Sequence, residues 1–400
     1  MKHVFIIGCK GIPTKYGGFE TFVDRLTEYQ KSDDLKYHVS VIKDFNDYEM
    51  EEKTYEYNGA HCFTIKQRIK SSAKAIFYDV DSLKYSLKYI KENNIEEPIF
   101  YILACRIGPY IRKYKRKIHR TGGKLYINPD GHEWKRAKWN KWIQRYWKYS
   151  EKRMVKHADL IICDNQAIEK YVHKEYKKYN PKTKFIAYGA ETSPSQLSDE
   201  DPQVKEWFGK WNVLPGQYYL MVGRFVPENN YETVIREFMK SNTKKDLVVI
   251  SNHRYTPYFD ELKEKYNIDS DPRIKFTDVL YNAPLLKKIR ENAYGYIHGH
   301  SVGGTNPSLL EALGRTDLNL IYDVSFNKEV AKDAAIYWTE EYGLLKHIID
   351  KCDEMTIDQR YQMGLMARAR VDEFYSWEKI TDEYEELFLG KESEETAQEA

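Results

Sequence analysis

The segment His298-Gly299-His300-Ser301-Val302-Gly303-Gly304-Thr305-Asn306-Pro307-Ser308-Leu309-Leu310-Glu311 places three kinds of chemistry side by side. A strand-like run over 293–297 leads into a glycine-rich loop, and a short helix follows with Glu311 in its first turns. The backbone N–H groups of Gly303, Gly304, Thr305 and Asn306, bared at a helix N-terminus, predict an anion pocket, because aligned peptide dipoles favour phosphate there. A carboxylate further along repels phosphate but accepts hydrogen bonds from a sugar hydroxyl. Diphosphate and ribose held together describe a nucleotide-activated sugar.

Three other segments follow predicted strands. In Val222-Gly223-Arg224-Phe225-Val226-Pro227-Glu228-Asn229-Asn230, Arg224 stands just past a strand end, where it can clamp phosphate bidentately. Taken alone, such an arginine is more often a surface ion-pair partner. The first strand runs into Gly8-Cys9-Lys10-Gly11-Ile12-Pro13-Thr14-Lys15-Tyr16-Gly17-Gly18-Phe19-Glu20. Its glycines lack the GxGxxG spacing of a dinucleotide loop. They make either a tight turn or a loop whose Gly17 and Gly18 let backbone approach a ligand. Asn128-Pro129-Asp130-Gly131-His132-Glu133 offers Asp130, His132 and Glu133 as a general base or as hydroxyl ligands, although Pro-Asp-Gly is also an ordinary turn and His-Glu can open a helix. Asp79-Val80-Asp81, read ahead of a helix, and Asp269-Ser270-Asp271, ahead of a proline turn, are expected to be caps and turns, so no metal site is expected.

The elements that must position these groups alternate along the chain. Apolar runs at 3–7, 37–42, 99–103, 124–127, 160–163 and 185–187 predict a first parallel sheet. A polar stretch carrying Ser193-Pro194-Ser195 and Asp199-Glu200-Asp201-Pro202 follows, and the pattern restarts at 218–222, 247–250, 274–276, 293–297 and 318–321. The 400 residues suit two domains of ~150–200 residues each. The expected fold class is therefore α/β, with two facing, doubly wound Rossmann-like domains and ligands at the carboxyl ends of the strands, in an interdomain cleft. The expected boundaries are 1–190 for an acceptor- and membrane-facing domain, 191–203 for a linker and 204–376 for a nucleotide-sugar domain. A C-terminal helix over 377–390, able to cross back to the first domain, and an acidic, frayed tail over 391–400 complete the chain. Five cysteines without CxxC spacing argue against a disulfide framework or zinc site. No apolar run approaches the ~20 residues that span a bilayer, and the N-terminus reads as a strand rather than a signal peptide, so a cytoplasmic protein is expected.

The net charge of +2 excludes a global field for nucleic acid, but one region departs from balance. Between Tyr101 and His157, 17 Lys and Arg face three acids. Arg112, Lys113, Lys115, Arg116 and Lys117 cluster there, with Trp134, Trp139, Trp142, Tyr146, Trp147 and Tyr149 nearby. Cations interleaved with large aromatics suit the surface of an anionic membrane. A solvated helix face over buried aromatics is the plainer reading. No nucleic-acid module accompanies the patch, and no nucleic-acid partner is expected.

Four of these segments resemble one family over residues 1 to about 390. They are the opening glycine loop through Val23, Asn128 to Trp139, Val222 to Glu232, and His298 to Leu313. They are similar to the streptococcal β-1,4-rhamnosyltransferases of capsule and rhamnose-polysaccharide assembly, in retaining glycosyltransferase family 4. The resemblance implies a GT-B fold and dTDP-β-L-rhamnose as the nucleotide-sugar donor, a substrate rather than a cofactor, with no metal required. It also implies an undecaprenyl-diphosphate-linked glucose or N-acetylglucosamine acceptor and a peripheral place on the inner face of the plasma membrane. Two departures from the family pattern stand out. Gly303 occupies the first position of the usual Glu-x7-Glu pair, whose second member is Glu311, and Asn229 stands where a phosphate-clamping lysine is expected beside Arg224. The alternatives are a sugar-nucleotide epimerase or hydrolase of the same fold, and a non-catalytic sugar-nucleotide-binding protein at the membrane surface.

Overall fold

Apolar residues at successive rather than alternating positions mark strands covered on both faces. Ile-Phe-Tyr-Ile-Leu, fully buried over Ile99–Leu103, is such a strand. In the computed structural model, which describes residues 1–14, 17–43, 54–70, 73–136, 139–254 and 256–391, the chain divides into two compact units, Met1–Tyr188 with Trp377–Ala400, and Gly189–Ser376.

The first unit carries β1 (Lys2–Ile7), β2 (Leu35–Lys43), β3 (Thr54–Tyr57), β4 (Ala60–Lys66), β5 (Ile99–Leu103), β6 (Lys124–Asn128), β7 (Leu160–Cys163) and β8 (Thr183–Phe185). They form one sheet in the order β3-β4-β2-β1-β5-β6-β7-β8, parallel except for β3. The sequence reading missed the β3–β4 hairpin and placed β8 two residues late. Its helices include α1 (Gly18–Glu28), α2 (Lys74–Glu92), α3 (Gly108–His119), α4 (Lys141–His157) and α5 (Gln166–Glu175). Phe5, Ile7, Phe100, Ile102, Ile111 and Ile127 belong to one buried cluster, and each such side chain contributes about 1.5–3 kcal/mol by leaving water. The last helix, Trp377–Leu389, also belongs to this unit. Its Tyr384 hydroxyl lies 3.0 Å from that of Tyr101, and the Lys31 ammonium meets Asp382 at 2.7 Å. The acidic residues 392–400 lie outside the described residues.

The second unit carries β9 (Tyr218–Val222), β10 (Asp246–Ile250), β11 (Ile274–Thr277), β12 (Gly295–His298), β13 (Asn319–Tyr322) and β14 (Ile336–Trp338) in the order β11-β10-β9-β12-β13-β14. The polar stretch expected as a linker packs within this unit. Lys287 meets Glu191 at 3.3 Å, and Lys288 meets Asp199 at 3.0 Å. In both units the strand order reverses beside the first strand, between β1 and β5 and between β9 and β12. Such a switch point opens a crevice at the carboxyl ends of the strands.

Three imidazoles cross the first sheet in file. His3 Nδ1 lies 2.8 Å from His38 Nε2, and His38 Nδ1 lies 3.0 Å from His61 Nδ1. Burial, then the neighbouring imidazoles, push His38 down to about 2, and burial lowers His3 and His61 as well. The native state therefore holds neutral rings, whereas the unfolded chain takes up protons below about pH 6.5. Stability is complete above that value and falls as pH drops through it, by roughly 2 kcal/mol for one such histidine at pH 5. The urea midpoint of wild type is expected to fall between pH 7 and pH 5, and His38→Gln is expected to flatten that dependence. An unchanged pH dependence in the variant would assign the acid sensitivity elsewhere.

Candidate functional site

At the second unit's switch point, the loops after β9 and β12 are locked into one body. Asn230, in the left-handed region at φ +56°, donates from Nδ2 to the Gly299 carbonyl at 2.8 Å. Ser301 donates to the Glu228 carbonyl from its backbone N at 2.9 Å and its hydroxyl at 2.8 Å. A Cβ at position 299 would lie 2.1 Å from the Asn229 carbonyl oxygen, so only glycine lets the two loops close. Asn229 is 4% exposed and donates from Nδ2 to the Arg224 carbonyl at 2.8 Å. One of its two amide hydrogens thus shapes the loop that carries Arg224. Arg224 itself is exposed, and its guanidinium makes no hydrogen bond or ion pair among the described residues. The backbone is fixed and the charged end is unengaged, as a clamp for an incoming anion requires.

On the other side of the crevice, Gly303 adopts φ +144° with nothing within 4 Å of where a Cβ would sit. Asn306 caps the helix Pro307–Leu313 by accepting from the Ser308 N–H at 2.9 Å, and Thr305 is buried. Glu311 pairs with the buried Arg290 at 2.6 Å while its side chain keeps 39% exposure. One carboxylate oxygen is thereby oriented by Arg290, and the side chain remains open to a hydroxyl. Beneath the loop, His298 is buried and stacked on His300, with centroids 4.4 Å apart. Burial holds His298 uncharged, far below its ordinary range. Arg290 was not legible from sequence, because it lies in a helix outside any motif.

The first unit's switch point is built differently. Glu20 and Asp24, one turn apart on α1, hold the glycine loop by accepting from the backbone N–H of Lys10 and of Thr14, each at 2.7 Å. Gly17 sits at φ +132°, a conformation that L side chains rarely adopt, and a Cβ there would also meet the Glu20 carboxylate, whereas nothing lies within 4 Å of a Cβ on Gly18. The two carboxylates thus hold the loop that precedes α1, while the helix N-terminus at Gly17 carries no side-chain cap. Arg106, counted in the sequence with the membrane-facing cations, turns inward instead. Its Nη1 donates to the Gly8 carbonyl at 2.8 Å and lies 3.3 Å from Asp79. Asp79 is fully buried inside α2 and pushed up to about 6 by that burial, with Arg106 opposing the shift. Asp81, in the same helix, pairs with Arg68 and with Lys84 at 2.9 Å. The Asp79–Asp81 pair therefore sits within a helix rather than capping one. Asp271 does close a turn, accepting from the Arg273 N–H at 3.1 Å.

After β6, both Asp130 (φ +57°) and His132 (φ +49°) take the left-handed conformation, and Ala104 after β5 does so at φ +68°. Strain of this kind at non-glycine residues gathers where structure serves a site. Asp130 accepts from the Gly131 N–H at 2.8 Å and lies 3.8 Å from Arg136. Glu133 pairs with Arg136 at 2.5 Å and accepts from Trp139 Nε1 at 2.9 Å. It thus braces the turn that carries Asp130 and His132. His132 is pushed down to about 4 by burial, then by Lys135 and Lys148, and is neutral at pH 7. Among the described residues, no group of three or more His, Cys, Asp or Glu side chains is arranged to hold a metal ion.

Flanking this unit's site, α3 buries Ile111, Tyr114 and Ile118 and turns Arg112, Lys113, Arg116 and Lys117 to solvent. Lys115 is half-buried and paired with Asp159 at 2.9 Å, so it leaves the set of outward cations. On α4, Trp142 is 76% and Tyr149 50% exposed, and the Arg145 guanidinium lies 5.1 Å over the Trp142 ring. No helix among the described residues is long and apolar enough to cross a membrane.

Two α/β units with parallel sheets, each with a switch point beside its first strand, are the elements of the GT-B fold, and the solved structures agree. The chain is similar to sucrose-phosphate synthase from Thermosynechococcus elongatus, at TM-score 0.73 and 16% identity over 98% of this chain and 99% of that one. It is also similar to HepE from Anabaena, solved in complex with UDP, at TM-score 0.67 and 12% identity over 98% and 100%. A glycosyltransferase from Rickettsia africae matches at TM-score 0.72 and 13% identity over 100% and 99%. Residues 1–191 match a family model described as a domain of unknown function, DUF1972. No curated protein matches in sequence.

Proposed function

We propose that this protein is a metal-independent, retaining glycosyltransferase that moves L-rhamnose from dTDP-β-L-rhamnose. The acceptor is undecaprenyl-diphosphate-linked glucose or N-acetylglucosamine, extended in β-1,4 linkage during capsule or cell-wall polysaccharide synthesis at the inner face of the plasma membrane. The observation that carries the reading is the pair of locked loops after β9 and β12, one carrying an unengaged Arg224 and the other the open backbone of Gly303, followed by the oriented carboxylate of Glu311. The donor and acceptor chemistry rests on the resemblance of the four sequence segments, and the fold agrees with a transferase of this class.

In this account the departing group is a nucleoside diphosphate, and stabilising its growing charge is the main task of the site. Arg224 and the amides of Gly303 to Asn306 perform it, with Asn229 holding the Arg224 loop in shape. Glu311 accepts the 3′-hydroxyl of the thymidine sugar. Retention follows from attack on the same face as the leaving phosphate, which helps to take the acceptor proton. Asp130 and the neutral His132 orient the acceptor hydroxyl. Cations on α3 and aromatics on α4 hold the enzyme on anionic lipid, where the acceptor's polyprenyl chain is anchored.

Metal independence is supported by the engagement of both DxD-like pairs with arginine and lysine. Transfer from dTDP-rhamnose to the lipid-linked sugar, followed by chromatography, is expected to proceed at an unchanged rate in excess EDTA. A strict requirement for an added divalent cation would refute the charge-clamp account of the donor site.

A further inference from the structure

On the inner face of α4, Lys148 sits within a cage of three rings. Its ammonium lies 4.7 Å from the centroid of Trp134, 4.9 Å from Tyr171 and 5.1 Å from Tyr176. It donates to the Tyr171 hydroxyl at 2.5 Å and pairs with Glu175 at 2.9 Å and Glu151 at 3.6 Å. The buried Glu151 in turn accepts from the Tyr171 hydroxyl at 2.5 Å and from the Tyr176 hydroxyl. One cation thus ties α4 to α5 and to the turn over Glu133–Lys135, through Trp134. The same turn is held a second time, because the His132 ring rests on Tyr171 with centroids 4.2 Å apart. A cation among aromatic faces and two carboxylates is a strong local anchor when partly desolvated, and only 30% of the Lys148 side chain is exposed.

We propose that Lys148 is a positioning residue: caged by Trp134, Tyr171 and Tyr176, it fixes the turn that carries Asp130 and His132 and so sets where the acceptor hydroxyl is held. This rests on the reading that the turn handles the acceptor. The groups facing His132 are Trp134 and Lys135 on its own turn, Lys148 on α4, and Tyr171 and Glu175 on α5. Burial is the main cause of its lowered proton affinity, and the like charges of Lys135 and Lys148 add to it. Removing the ammonium therefore moves His132 toward its ordinary range as well as loosening the turn.

The test is Lys148→Met in the full chain, read by the NMR titration of the His132 ring and by the pH profile of transfer. The His132 midpoint and the acid limb of kcat are expected to rise together, with kcat about 10-fold lower and KM for the donor unchanged. Lys148→Arg, which keeps the charge and can stack on the rings, is expected to restore most of the rate. Should Lys148→Met fail to fold, Trp134→Phe, which thins one wall of the cage and leaves the ion pairs, is expected to give the same changes at smaller size. A His132 midpoint and kcat both unmoved in the folded variant would overturn the proposal. A midpoint that moves while kcat stays would overturn the catalytic part and, with it, the turn's place at the acceptor.

Discussion

Arg224→Ala is expected to lower kcat/KM for rhamnosyl transfer by about 100-fold or more, the size of effect seen when a preorganised charge donor is removed from a transition state. Because the guanidinium makes no hydrogen bond or ion pair among the described residues, and Asn229 holds the loop through the backbone carbonyl of Arg224, folding should be untouched and the thermal midpoint unchanged. Arg224→Lys keeps a point charge but loses the bidentate fork, so it should recover part of the loss. Rates near wild type for the alanine variant would remove Arg224 from the leaving-group site, and the reading of the β9 loop as a phosphate clamp would go with it.

The second large effect concerns the outward cations of α3. Each Lys or Arg near an anionic leaflet contributes about 1 kcal/mol, so Arg112, Lys113, Arg116 and Lys117 together suffice for reversible docking. Changing these four to Glu is expected to abolish binding to liposomes containing anionic lipid. It should slow transfer to the undecaprenyl acceptor at least 10-fold, while transfer to a short-chain, water-soluble analogue stays close to wild type. In wild type the attraction should fade with salt, because the Debye length falls to about 3 Å at 1 M. Lys115 is left out because it pairs with Asp159, and its loss would disturb the fold rather than the surface. Equal losses on both acceptors would mean that these residues serve folding or catalysis, and docking through α3 would be refuted.

The two-unit α/β fold was legible because buried parallel strands advertise themselves as apolar runs, and most of the runs in both halves are strands. The exceptions have physical reasons. β4 lies at the far side of β2 and pairs with the short antiparallel β3. Their connection, Asn58-Gly59 with both residues at positive φ, is a hairpin turn whose flanking strands are too mixed in polarity to stand out. β14 has only three residues. At the site, the glycine loop of 298–311 and Arg224 could be read from their own segments, because each needs only a strand end and a turn. The partners that give these groups their roles come from elsewhere in the chain. Arg290 orients Glu311 from a different helix, and Arg106, just after β5, reaches the β1 loop at Gly8 and α2 at Asp79. Lys148 on α4 gathers rings from two other segments, the turn at Trp134 and α5 with its C-terminal Tyr176. Spacing within one motif carries no trace of such contacts. For the same reason Glu133 and Asn229 read as ligand groups in sequence, while their side chains are in fact engaged in holding their own loops.

The most direct test of the central claim is the mass and linkage of the product formed from dTDP-rhamnose and undecaprenyl-diphosphate-linked glucose or N-acetylglucosamine, with UDP- and GDP-sugars as competing donors. The account predicts an acceptor heavier by one deoxyhexose, joined through O4 in the β configuration, formed from the dTDP donor and lost in Arg224→Ala. Donor consumed at the same rate without acceptor, or transfer from another nucleotide sugar in preference to dTDP-rhamnose, would contradict it.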